Sequence, residues 1–197
     1  MQGVGTQILI PLKHLESAKR RLHPQLGAEA RRSMMLAMLA HVAAEALRAE
    51  VGPVALASSE PRAPSIAEEH GIGLVDDGGL PWNEGLVHAL ERLPSPPDAV
   101  LYLAGDLPLV TAEEIRALAG AVPAHGIAIG RAHDGGTNAL GLRPPHALIP
   151  SFGSPQSARV HAGLAERAGL DVAVVDLPGI ALDVDTPADA ERARLSA

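Results

Sequence analysis

Apolar residues in this chain fall into short continuous runs, separated by longer stretches that carry an apolar stripe. Runs at 7–12, 53–58, 72–76, 99–104, 126–131, 138–142, 172–176 and 180–184 predict strands. Several are aliphatic without alternation, the pattern of strands covered on both faces. Residues 28–50 place Ala, Met, Leu and Val on one stripe and Glu, Arg and His elsewhere, which predicts a long helix. Shorter helices are predicted at 64–70, 84–93, 112–121, 156–168 and 188–195. Thr111 and Glu114 have the spacing of a capping box, and Thr186 before Pro187 reads as an N-cap followed by N1. Strand and helix alternate, so the expected fold is α/β: one domain over 1–197, a mostly parallel mixed sheet, helices on both faces. Residues 138–184 are richer in strands and predict an antiparallel edge or flap. Pro94-Ser95-Pro96-Pro97 is long enough only for a surface loop, and no internal repeat is visible.

Composition changes this picture in one respect. Hydrophobic residues make up 47% of the chain but aromatics only 2%, so the core must be aliphatic. Trp82, Tyr102 and Phe152 then stand out as local features. There is no cysteine, which excludes a disulfide framework and a thiolate metal site. A formal charge of -7 argues against a nucleic-acid partner, because backbone affinity rests on Lys and Arg. No apolar run is long enough to span a bilayer, so no membrane partner is expected. The first residues lack the basic region of a signal peptide, and a cytoplasmic location is the expectation. The aliphatic helix 28–50 is a candidate homodimer face, with a role in the core as the alternative.

The chemistry gathers in two distant segments, Leu-Ala-Gly-Asp-Leu-Pro-Leu at 103–109 and Leu-Asp-Val-Asp-Thr-Pro at 182–187. Each begins as an apolar strand and turns acidic where a loop should start. Asp106, Asp183 and Asp185 are therefore expected at carboxyl ends of strands, the edge where open α/β sheets bind ligands. Asp183 and Asp185 are two apart and would share one face of a strand. Such carboxylates suit Mg²⁺, one or two ions, together with phosphate oxygens. The plainer alternative is a turn residue at 106 and a helix start at 185–187. After the first strand, Lys13, Lys19, Arg20 and Arg21 gather positive charge suited to a triphosphate, or simply form a solvated basic face. Gly135-Gly136-Thr137-Asn138 opens a strand with small polar residues. Phe152-Gly153-Ser154-Pro155-Gln156-Ser157 precedes a helix containing Arg159 and His161. Both suit a phosphate or carboxylate, and both also read as a hairpin turn and an N-cap. Asn83 reads as a base or ribose contact or as a helix cap. The chain has no P-loop, no dinucleotide fingerprint and no nucleophile elbow.

Taken together these segments resemble one family, the guanylyltransferases of deazaflavin coenzyme biosynthesis. The resemblance rests on Ile10-Pro11-Leu12-Lys13, Ala18-Lys19-Arg20-Arg21-Leu22, Gly105-Asp106-Leu107-Pro108-Leu109, Gly136-Thr137-Asn138-Ala139-Leu140, Phe152-Gly153 with Ser157 and His161, and Leu182-Asp183-Val184-Asp185-Thr186-Pro187. It implies a nucleotidyltransferase fold of the glycosyltransferase-A type. It implies transfer of GMP from GTP to a small phosphorylated acid, phosphoenolpyruvate or 2-phospho-L-lactate, with release of pyrophosphate. Asp106, Asp183 and Asp185 match the family's Mg²⁺ ligands. With Lys13 they form the implied catalytic set. Lys13, Lys19, Arg21 and Asn83 fall on the GTP side, and Thr137, Gly153, Ser154 and Ser157 on the acid side. Three residues separate Gly153 from Ser157 where the family has two, so both serines stay candidates. The family's Gly-Leu-Asn loop reads Leu80-Pro81-Trp82-Asn83 here. The alternatives are a different acceptor (3-phosphoglycerate, a sugar phosphate or a molybdopterin) and a non-catalytic nucleotide-binding module.

Overall fold

The computed structural model describes residues 4–17, 19, 22 and 26–195. Seven strands form one sheet in the order β3-β2-β1-β4-β6-β5-β7. They are β1 (Val4–Pro11), β2 (Val54–Ala57), β3 (Gly73–Val75), β4 (Pro97–Leu103), β5 (Gly126–Arg131), β6 (Thr137–Arg143) and β7 (Asp171–Val175). β6 runs antiparallel to both its neighbours, β4 and β5, while the other paired strands are parallel. The strand-rich stretch therefore does not form an antiparallel edge: β6 is inserted inside the sheet and β7 closes the edge in parallel with β5.

Seven helices are described: α1 (Ala28–Ala49), α2 (Ala63–His70), α3 (Trp82–Glu91), α4 (Ala112–Ala121), α5 (Ser157–Arg167), α6 (Pro178–Ala181) and α7 (Pro187–Leu195). One face of the sheet, with Ile8, Ile10, Leu101 and Leu103, packs against Met35, Leu39 and Val42 of α1 and Ile115 and Leu118 of α4. The other face, with Leu9, Val100, Tyr102 and Leu140, packs against Leu86 and Leu90 of α3 and Ala158 and Ala165 of α5. Successive strand residues point to opposite faces, so each apolar run feeds both layers at once. The long stripe of α1 is spent on this core, where Leu39, Val42, Ala43 and Ala46 are fully covered. The Thr111–Glu114 capping box forms as expected.

One expected strand is absent. Residues 180–184 are not extended in the sheet; α6 occupies Pro178–Ala181 and an irregular segment follows it. Pro178 stands at the first helical position, where its fixed φ favours a turn of helix. Ile180 and Val184, four apart, both sink into the core. That spacing satisfies the apolar run without a strand ladder.

Candidate active site

Asp106 sits just past the end of β4, as the strand-end argument requires. Asp183 and Asp185 reach it by another route than one face of a strand. Their irregular segment is tied down at three points. The Val184 N–H donates to the Asp106 carbonyl at 3.3 Å. The Asn138 side chain, at the start of β6, donates to the Ile180 carbonyl at 2.9 Å and to Asp183 Oδ1 at 3.1 Å. Asp189, in the first turn of α7, accepts from the Thr186 N–H at 2.8 Å and from Thr186 Oγ1 at 2.7 Å. Sequence reasoning passed over Asn138 and Asp189 as positioning groups. The second was legible: Thr186 followed three residues later by an acid is a capping pattern.

These bonds bring oxygen atoms of Asp106, Asp183 and Asp185 within 4.8 Å of one another. Like charges this close are costly unless a cation or hydrogen bonds hold them. Burial, and next the charge of Asp106, push the Asp183 carboxyl above its ordinary value. The Lys19 ammonium is bonded to Asp106 and lies 2.9 Å from Asp185 Oδ1. Burial alone would lower the pKa of Lys19, but Asp106 and then Asp185 outweigh it and raise it. A cation is thus already drawn onto the cluster, and the donor set of three carboxylates is the one hard divalent ions favour.

The acids open onto a cleft of about 390 Å³ lined by the ends of β1, β4 and β6 and the loop before α5. Lys13 lies on one side. Its Nζ donates to Asp77 Oδ2 at 2.6 Å and to the Leu80 carbonyl at 2.8 Å. Burial would raise the Asp77 carboxyl, but the bonds from Lys13, from the Ser59 side chain and from the Gly79 N–H hold it below the usual range. Gly85 makes this pair fit, since a Cβ there would stand 3.2 Å from Lys13 Nζ and 3.3 Å from the Asp77 carbonyl oxygen. Asp77 follows the end of β3 as Asp106 follows the end of β4.

The opposite wall holds the residues expected on the acid side. Thr137, Gly153, Ser154 and Ser157 all line the cleft. Gly153 adopts φ +97°, a conformation that glycine takes without strain. Ser157 is buried and donates to Thr137 Oγ1 at 3.1 Å. Ser154 is exposed, and its Oγ accepts the Gln156 N–H at 3.1 Å. Both serines therefore face the cleft, one fixed and one free to reorient. Asn83 does not line it: the Asn83 Oδ1 accepts the Phe152 N–H at 2.9 Å and its amide donates to the Phe152 carbonyl at 3.4 Å, so it holds the acid-side loop. Phe152 in turn stands edge-on to Tyr102, with ring centres 6.3 Å apart. Trp82 is exposed at the rim. Arg21, expected on the GTP side, lies outside the described residues.

The Guanylyl transferase CofC like family matches residues 6–193. The chain belongs to this family. A phosphoenolpyruvate guanylyltransferase from Sphaerobacter thermophilus is 40% identical over 190 residues, covering 94% of this chain and 91% of that protein. A nucleotidyl transferase from Methanothermobacter superposes with a TM-score of 0.71 at 18% identity, covering 98% of each chain. The Rv0371c structure from Mycobacterium tuberculosis in complex with manganese superposes at 0.58 with 20% identity, again over 98% of each chain. These likenesses establish the nucleotidyltransferase fold of the CofC-like chain. No helix among its described residues is long and apolar enough to cross a membrane.

Proposed function

We propose that this CofC-like chain transfers GMP from GTP to phosphoenolpyruvate, with release of pyrophosphate. The observation that carries the reading is the convergence of Asp106, Asp183 and Asp185 in a cleft that is also lined by Lys13, Thr137 and Ser157. The name borne by the Sphaerobacter relative supports the choice of substrates.

A phosphate oxygen of the acid attacks the α-phosphorus of GTP in line, the bond from that phosphorus to the bridging oxygen breaks, and pyrophosphate departs. The nucleophile is already anionic, because a phosphate monoester has its second pKa near about 6. No side chain has to remove a proton. The obstacle is repulsion between polyanions. Asp106, Asp183 and Asp185 would hold Mg²⁺, which when bound supplies charge neutralisation at the reacting phosphate oxygens. Lys13, pinned by Asp77 at the end of β3, presents a fixed cation beside the triphosphate. Lys19, already paired with Asp106 and Asp185, gains a third anionic partner when a triphosphate enters and can share its charge between that ligand and the acids. Thr137, Gly153 and Ser157 receive the phospho-acid, and the exposed Ser154 stands beside them on the same loop.

The test is pyrophosphate release measured over GTP, ATP, CTP and UTP, with phosphoenolpyruvate, 2-phospho-L-lactate and 3-phosphoglycerate as acceptors and Mg²⁺ or Mn²⁺ added. Release that requires GTP, phosphoenolpyruvate and a divalent ion is expected. Equal release without any phospho-acid, or with another acid only, would overturn the assignment.

A further inference from the structure

His161 on α5 is fully buried, yet both its ring nitrogens have polar partners. Its Nε2 lies 2.8 Å from the Ser151 backbone nitrogen, which can only donate. Nε2 must therefore carry the lone pair, and the ring proton resides on Nδ1. Nδ1 faces Thr137 Oγ1 at 3.0 Å, so this contact is a donation to Thr137. Ser157 Oγ approaches the same oxygen at 3.1 Å as a second donor. With two donors pointed at it, the Thr137 hydroxyl has used its acceptor capacity, and its own proton is left to point elsewhere. Thr137 lines the cleft. Phe152 closes over the imidazole edge-on, with ring centres 5.3 Å apart, and keeps water from offering the ring another arrangement.

We propose that His161 is a positioning residue for the acid substrate: locked as the Nδ1-protonated neutral tautomer between Ser151 and Thr137, it aims the Thr137 hydroxyl proton into the cleft as a donor to an anionic oxygen of the phospho-acid. The inference rests on the guanylyltransferase reading for the identity of the ligand but not for the tautomer. Burial, which holds the imidazole pKa down at about 4, keeps the ring neutral across the working range. A protonated ring would set an Nε2 proton against the Ser151 N–H and push the 151–157 loop away.

Two variants separate the halves of the device. His161→Asn retains an N–H near the Nδ1 position, whereas His161→Gln offers an acceptor near Nε2 and loses the donor to Thr137. His161→Gln is expected to raise KM for phosphoenolpyruvate about 10-fold, the scale of one hydrogen bond to a charged group, with kcat and KM for GTP within about twofold. His161→Asn is expected to restore most of that KM. In the wild-type protein, long-range ¹H–¹⁵N correlation should show His161 protonated on Nδ1 and bare on Nε2 between pH 6 and 8, and titration calorimetry with phosphoenolpyruvate should follow the KM order. An Nε2-protonated ring, or equal KM losses in the two variants, would overturn the proposal. If either variant fails to fold, Thr137→Val replaces it: a KM for phosphoenolpyruvate unchanged by that substitution would overturn the proposal equally. Absence of GMP transfer by the wild type would sink the function, while the tautomer still decides the lock.

Discussion

At the acid edge of the cleft, three carboxylates press on one another and draw the Lys19 ammonium onto themselves; on the opposite wall, Thr137, Ser157 and His161 are neutral and satisfy each other with the Ser151 backbone. The first region is held together by the backbone of Asp106 and by two side chains outside it, Asn138 and Asp189. The second is held by its own members. The difference teaches how one cleft can receive two polyanions. One wall concentrates negative charge, which only a cation relieves. The other offers oriented donors that cost little to keep in place. The acid edge is thus expected to lower stability and support turnover, whereas the neutral wall should serve both binding and stability.

Substitutions at the acid edge should break the comparison most visibly. Asp106→Asn is expected to cost about 100-fold or more in the rate of pyrophosphate release, roughly 2.7 kcal/mol or above. Near wild-type divalent-dependent turnover would remove Asp106 from the site. On the neutral wall the largest effect is on stability as pH changes. His161 titrates near about 4 when folded and at an ordinary value of 6.5 otherwise. The unfolded chain therefore takes up the proton first as pH falls. The contribution is fully present above about pH 6.5 and is lost between there and pH 4, by about 2–3 kcal/mol. Urea melts of wild type and His161→Gln over that range check it: the decline should be shallower in the variant.

Asp183→Asn sharpens the contrast, because it should separate stability from activity. The carboxyl of Asp183 is raised above its ordinary value, first by burial, so its ionised form costs stability as pH climbs past its folded pKa. The neutral amide removes that cost and can still accept the Asn138 bond. Thermal melts without added metal at pH 7.5 should show a midpoint about 2–4 °C higher, while activity falls. A lower midpoint would show that the charge is not a burden. The smallest effect concerns the two serines. Ser157→Ala, which removes a buried donor to Thr137, should raise KM for phosphoenolpyruvate roughly fivefold. Ser154→Ala should change it less than about twofold, since the exposed hydroxyl is bonded only within its own turn.

Much of the layout was legible in the residues. The aliphatic runs announced β1 to β7 in order, and the α1 stripe announced the helix that covers one sheet face. Asp106 followed from a strand breaking into acid. Small polar residues at a strand start and before a helix left a turn and a cap as equal readings; the family resemblance singled out Thr137, Gly153 and Ser157, and all three line the cleft. The segment 180–184 misled because Ile180 in a short helix and Val184 in the irregular segment after it are both buried, and in sequence they look the same as a strand buried on both faces. Asn83 was read toward the nucleotide because an amide at a helix start serves many partners, and only the approach of the 151–157 loop shows that Phe152 takes both ends.

The sequence by itself determined the layers, the aliphatic core and which residue types carry the chemistry, because those depend on periodicity and on the local cost of burying charge. Tertiary structure alone decided that Asp183 and Asp185 meet Asp106 through an irregular segment, that Lys19 lies on the acids, and that His161 sits between Ser151 and Thr137. Each of those depends on contacts between residues far apart in the chain. A side chain's hydrogen-bond partner is set by where the folded backbone brings donors and acceptors, and no local pattern encodes that distance.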